Sequence, residues 1–229
     1  MPPPRRRTRG RPRDESHAAR RRDEILATAT RLFAAHGYRN LDVQRVADEL
    51  GIGKGTVYRH FPTKQALFLA AVDRGMRRLT DRADTIRTEH PDPLDRMRAA
   101  IRAHLEFFAG NPDLVELFIQ ERAEFRDRQT PTYFVYRGRR MRMWKDLLHR
   151  LIAAGRIRRV PVERITLVVG DVLYGMMFTN YFAPRRRSPR RQADDIIDIV
   201  FHGILTGQAA PASRSRGASG SAGAGGQHQ

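Results

Sequence analysis

From residue 20 to residue 36, Ile25, Leu26, Ala29, Leu32 and Phe33 recur at three- and four-residue spacing. That period predicts one amphipathic helix, and Gly37 supplies its stop. Val43, Val46, Ala47 and Leu50 repeat the pattern over a shorter span ending at Gly51. Ile52 is apolar and fits the corner. The segment KGTVYRHF follows, with Val57 and Phe61 on its inward side. Two short helices joined by a tight glycine-containing turn make a helix-turn-helix. A fourth helix is predicted from about Thr63 to Thr80, with Leu67, Ala70, Ala71 and Met76 inward. The prolines of TEHPDP then break the pattern.

The rest of the chain repeats the helical period. Leu94, Met97, Ile101, Leu105 and Phe108 predict a fifth helix, and Asn111-Pro112 starts a sixth. Pro131 opens a seventh, ended by Gly155, with Phe134, Met141, Trp144, Leu147, Leu148 and Leu151 on its apolar side. Pro161 opens an eighth, over about 162–183. It is apolar nearly all round, which predicts burial on most sides, with Gly170 and Gly175 allowing close helix approach. Ile196, Ile197, Val200, Phe201, Ile204 and Leu205 predict a ninth over about 192–207. The expected fold is all-α with about nine helices. An N-terminal three-helix helix-turn-helix domain (20–66) precedes a C-terminal helical domain (67–207). The basic, proline-rich residues 1–19 and the Gly/Ala/Ser-rich residues 208–229 are expected to be disordered tails.

Charge narrows the class of partner. Lys and Arg number 43 against 25 Asp and Glu, a formal +18, which calls for a polyanion: nucleic acid first, an anionic membrane second. The chain has no cysteine, so disulfides, cysteine zinc sites and thiol redox sensing are excluded. Its first residues contain no apolar core segment, so no secretory signal is expected and the protein is expected in the cytoplasm. The apolar run 165–183 holds Thr166, Asp171 and Asn180. A carboxylate in mid-span is costly in lipid, so an interface helix is expected there and no membrane partner. There is no glycine-rich phosphate loop, HExxH or nucleophile elbow. The eight histidines are scattered, and His104 and His149 are expected to be packing residues. No enzyme activity, cofactor or metal is expected. Glu121, Arg122, Glu124 and Arg126 read as a surface ion-pair set, with a polar wall of a ligand pocket as the alternative.

The outward side of the second short helix carries Lys54, Thr56, Tyr58, Arg59 and His60, donors and cations with no acid among them. That chemistry suits a major groove between two phosphate rails. The segment GIGKGTVYRHFPTKQALF is similar to the recognition segment of TetR-type regulators, the tetracycline-repressor family, whose usual wording is close to GVSKGTLYRHFPSKEAL. The resemblance covers about residues 20–70; beyond them only length and helical layout match.

This resemblance implies a sequence-specific transcriptional regulator, most often a repressor, bound as a homodimer to a near-palindromic double-stranded operator. It implies that Lys54, Gly55 and Thr56 approach bases or the adjacent backbone, that Tyr58 and His60 hold phosphates, and that Lys64 clamps another. Arg59 would read guanine or hold a phosphate. Gly53 stands where the family commonly has serine, and still offers its amide. Asp42 stands where it usually has threonine; aspartate caps a helix but cannot donate to phosphate, so Arg45 is expected to take that role. Helices eight and nine would pair with their twofold mates as a four-helix bundle. A small hydrophobic inducer would sit in the C-terminal domain, with Phe107, Phe108, Phe118, Trp144, Tyr174 and Met177 as candidate lining, beside Met176 and Phe178. Separately, Arg9-Gly10-Arg11-Pro12-Arg13 resembles the core of an AT-hook, which would put Arg9 and Arg11 in a narrow minor groove. A solvated tail adding only counterion release is the alternative. A sequence-indifferent architectural DNA-binding protein is the rival reading of the whole chain.

Overall fold

The computed structural model describes residues 12–183 and 188–202 of the 229. Among the described residues there are nine α-helices and no strand. They are α1 (Pro12–His36), α2 (Val43–Glu49), α3 (Lys54–His60), α4 (Lys64–Glu89), α5 (Pro93–Ala109), α6 (Pro112–Glu124), α7 (Thr132–Ala153), α8 (Val162–Phe182) and α9 (Pro189–His202).

The stops fall where local chemistry puts them. Gly37 and Gly51 take φ of 79° and 62°, a left-handed backbone that glycine adopts without a Cβ penalty. Asp42 caps α2 by accepting from the Gln44 amide, Thr63 caps α4 by accepting from Ala66, and Asp92 caps α5.

Two helices run further than their apolar stripes suggested. α1 begins at Pro12, whose fixed φ suits a first turn, so residues 12–19 are helical and not part of a disordered tail. Residues 1–11, with Arg9 and Arg11, and residues 203–229, with the whole of the tail expected at 208–229, lie outside the described residues. α4 continues past Thr80 to Glu89, because 81–89 holds no glycine or proline and Ile86 packs inside at 2% exposure.

The helix-turn-helix does not have a core of its own. Ile25, Leu32, Phe33, Val46, Val57 and Phe61 belong to one apolar cluster with Leu67 and Phe68 of α4 and Leu114, Leu117 and Phe118 of α6. Two smaller clusters follow. α5, α7 and α8 share one through Met97, Leu148 and Val162. α5 and α9 share the other through Ile101, Leu105, Ala193 and Ile197.

The sequence reading of α7 needs correction. Leu147, Leu148 and Leu151 are buried as expected, but in the first turns Tyr133 and Tyr136 are buried while Phe134 is exposed. α8 is corrected more strongly: only Val162 and Met177 are buried within the chain. Leu167, Val168, Val172 and Phe182 are exposed, as is Ile199 of α9. By length and composition alone α8 is apolar enough to cross a bilayer. Its polar residues tie it to neighbouring helices instead: Arg137 donates to Asp171 at 2.9 Å, and Asn180 donates to Gln192 of α9 at 2.6 Å.

Candidate nucleic-acid interface and ligand cavity

α2 and α3 present one surface. Val57 and Phe61 turn into the core, so the opposite side of α3 must face out. Gly53, Gly55, Tyr58 and Arg59 are exposed; Lys54, Thr56 and His60 are half-buried. Arg45 of α2 is exposed beside them.

The electrostatics are less uniform than the α3 sequence implies. Lys54 donates its Nζ to Asp42 Oδ1 at 2.8 Å. The bond holds the Asp42 carboxyl below the usual carboxylate range and the Lys54 ammonium above its own. The acid missing from α3 is thus supplied by the cap of α2. His60 is held below the ordinary histidine value, first by burial and then by Arg59, Arg22 and Arg21. Its ring is therefore mainly neutral near pH 7, and it faces DNA as a hydrogen-bonding group more than as a cation. Both of these α1 arginines are engaged within the chain: Arg22 lies over the Phe61 ring at 4.5 Å and Arg21 pairs with Glu24 at 2.8 Å.

Lys64 also has an intramolecular role. Its Nζ donates to the Arg39 carbonyl at 3.0 Å and lies 4.9 Å from the Tyr38 ring centre. It fastens the start of α4 to the turn after α1.

That turn is also the docking point for α6. Gln120 donates to the Phe33 carbonyl at 2.9 Å, inside the core. Arg39 donates to Glu124, and Tyr38 and Phe125 pack edge to face with centroids 5.0 Å apart. Glu121, expected at the surface, is 2% exposed. It accepts from the Thr132 amide and hydroxyl at 3.0 and 2.7 Å and from Arg128 at 2.9 Å, so it caps the start of α7. A charged residue in a polar run gave no sequence signal for that burial.

A cavity of about 200 Å³ lies between α4, α5, α7 and α8. Of the residues proposed to line it, Trp144 does. Phe108, Phe118 and Met177 are buried in the apolar cluster that reaches the DNA-binding helices, and Phe107, Tyr174 and Phe178 pack against that cluster. Met176 packs against the α5–α9 cluster. The cavity walls are instead Met76, Leu79 and Ile86 of α4, Met97 and Ile101 of α5, and Ile165 and Leu173 of α8, among others. The length of α4 beyond the expected end at Thr80 adds Ala83 and Ile86 to that wall.

The polar lining was not foreseen. His104, Tyr133, Tyr136, Arg137 and Arg140 face the cavity. Burial pushes His104 down to about 4, against a hydrogen bond with the Leu173 backbone that favours its charged form; the buried Nε2 has no partner. Burial pushes the Tyr133 phenol up to about 12. Tyr136 donates to Asp73 of α4 at 2.6 Å. His149, expected to pack inside, is exposed. Among the described residues no group of three or more His, Asp or Glu is placed to hold a metal.

Gly170 was expected to let helices approach closely. Its space is taken by a side chain: a Cβ there would meet the Arg137 guanidinium carbon at 2.7 Å. A Cβ at Gly175 would meet nothing within 4 Å.

Residues 25–71 match the family model for bacterial regulatory proteins of the tetR family, and residues 90–204 match that for the tetracyclin repressor-like C-terminal domain. The nucleoid occlusion factor SlmA of Vibrio vulnificus (strain YJ016) is 32% identical over 103 residues, covering 44% of this chain and 53% of that protein. The chain thus spans about half the length of the first curated relatives it matches. The HTH-type transcriptional repressor KstR2 of Mycolicibacterium smegmatis is 28% identical over 200 residues, covering 86% of this chain and 97% of that one. The structure of the fatty acid degradation regulator FadR from Bacillus halodurans superposes with a TM-score of 0.69 at 16% identity, over 86% of this chain and 98% of that one. At that identity the likeness shows the fold alone.

Proposed function

This chain belongs to the tetR family of bacterial regulatory proteins, and on that premise we propose that it is a homodimeric, sequence-specific repressor released from DNA by a small apolar ligand. The observation that carries the reading is α3. It buries Val57 and turns Gly55, Tyr58 and Arg59 to solvent, with Lys54, Thr56 and His60 beside them. Lys54, Gly55 and Thr56 meet base edges or the adjacent backbone. Tyr58, His60, Arg45 and the Gly53 amide meet phosphates, and Arg59 meets either. Lys64 reaches a phosphate only by giving up the Arg39 carbonyl. Phosphate contacts set register, and base contacts set sequence.

The exposed apolar face of α8, with Ile199 of α9, supports a twofold partner, since a second copy would cover that face in an isologous interface. Two copies would set two α3 helices about one DNA turn apart, which calls for a near-palindromic site. The cavity supports the ligand. α4 joins the two ends of the mechanism, because it follows the recognition helix in the chain after residues 61–63 and ends in the cavity wall. A ligand releases DNA only if it binds more tightly to the conformer with the wrong α3 spacing. This regulator works on DNA in the cytoplasm and catalyses no reaction. The boundary between its DNA-binding and ligand-binding parts falls near residue 66.

The test is titration of the full chain against its own upstream intergenic DNA and a scrambled duplex at physiological salt, followed by footprinting. Tight binding to a dyad supports the repressor. Equal binding to both duplexes with a steep salt dependence overturns it in favour of a sequence-indifferent architectural protein.

A further inference from the structure

The cavity has a charge signature. Among the described residues that line it, Arg137 and Arg140 carry full charges and no Asp or Glu is present. His104 adds no third positive charge, since burial keeps its ring neutral near pH 7. The remaining wall is mainly aliphatic and aromatic.

Both guanidiniums are largely sheltered, with side-chain exposures of 17% and 20%. Their acidic partners are not. Asp171 is 69% exposed and Asp84 52%. Neither acid lines the cavity. Ion pairs with such solvated carboxylates contribute little. The bonds also leave capacity over. Arg137 donates through Nη1 to Asp171 at 2.9 Å. Arg140 makes two long contacts, to the Thr80 carbonyl at 3.4 Å and Asp84 at 3.3 Å. A guanidinium has five N–H donors in a planar fork that matches a carboxylate.

Resting on the reading of this cavity as a ligand site, we propose that its ligand is an amphipathic carboxylic acid, whose carboxylate takes the free donors of Arg137 and Arg140 and whose apolar body packs against Met76, Ile86, Met97 and Trp144. Gly170 is part of the device. Only a residue without a Cβ leaves room for the Arg137 guanidinium to lie across α8. Arg140 connects the head group to regulation, because Thr80 and Asp84 belong to α4. A ligand carboxylate that draws Arg140 away loosens the cavity end of the helix whose other end follows α3 in the chain.

Trp144 is the sole tryptophan, so its emission reports the cavity directly. The experiment titrates the full chain with dodecanoate, dodecanol and dodecylamine, each below its micelle-forming concentration. Dodecanoate is expected to change Trp144 emission saturably and to bind at least about tenfold more tightly than the other two. The double variant Arg137→Gln/Arg140→Gln is expected to lose that preference while still binding dodecanol. Gly170→Ala, which keeps both charges but displaces one guanidinium, is expected to weaken dodecanoate and spare dodecanol. Equal or tighter binding of dodecanol or dodecylamine overturns the acid assignment and leaves the cavity reading standing. So does a dodecanoate preference that survives the double variant. If none of the three probes changes Trp144 emission, the cavity reading falls and this proposal with it.

Discussion

The ammonium of Lys54, first residue of the recognition helix, donates to Asp42 Oδ1 at 2.8 Å, and the same oxygen accepts from the Gln44 amide at 2.8 Å. One carboxylate thus caps α2 and restrains a side chain on α3. The ion pair is exposed, so its effect lies in where it holds Lys54 more than in stability.

Asp42→Asn keeps an oxygen for the cap and releases Lys54. The expected result is tighter binding to every duplex, a salt dependence steeper by about one counterion, and a smaller ratio of specific to nonspecific affinity. Asp42→Ala should behave alike on DNA and also cost about 1 kcal/mol of stability through the lost cap. Affinity titrations over a salt series check both; an unchanged salt slope would refute the restraint.

His60 is held below its ordinary value by burial and three arginines. An adjacent DNA phosphate favours the charged ring, so binding should take up a proton. Affinity should rise as pH falls below the ordinary histidine range, and His60→Gln should flatten that rise. Proton uptake is read by calorimetry in buffers of different ionisation enthalpy.

His104 gives stability its own pH dependence. Above pH 6.5 its ring is neutral in both folded and unfolded chains. From 6.5 down to about 4, the unfolded chain binds a proton that the folded chain refuses, so stability falls as pH falls. The full loss is about 3 kcal/mol, by the cost of a pKa unit. Urea unfolding of His104→Leu should lose less stability than wild type between pH 7 and pH 4.5. Parallel curves would exclude this origin.

A Cβ at Gly75 would meet both Leu114 methyl carbons at 2.6 Å. Gly75→Ala should therefore push α6 from α4 and lower stability by roughly 1–3 kcal/mol despite the better helix former. Gly75→Ala with Leu114→Ala should recover part of that loss. Thermal unfolding of the single and double variants measures the coupling.

A charge on the uncovered face of α8 tests the twofold partner. Leu167→Glu with Val168→Glu should give a monomer in sedimentation and weaken operator binding at least about tenfold. Secondary structure should be retained, since both residues are more than half exposed within the chain. A dimer that persisted would place the interface elsewhere.

The sequence by itself determined the helices, the helix-turn-helix and the composition of α3. These depend on local rules: a 3.6-residue apolar period, glycines at left-handed stops, and a side-chain cap at Asp42, all properties of neighbours along the chain. Tertiary structure decided the rest. The ring-rich residues Phe108 and Phe118 went to the core, and the cavity went to the far end of α4, because which face meets which helix depends on packing between distant segments. Asp42 and Lys54 stand twelve residues apart, Arg137 and Gly170 on different helices, and Glu121 with Thr132 across a loop. Each of these relations arises from contact in space between segments whose local patterns are unaffected by it, so no periodicity records them.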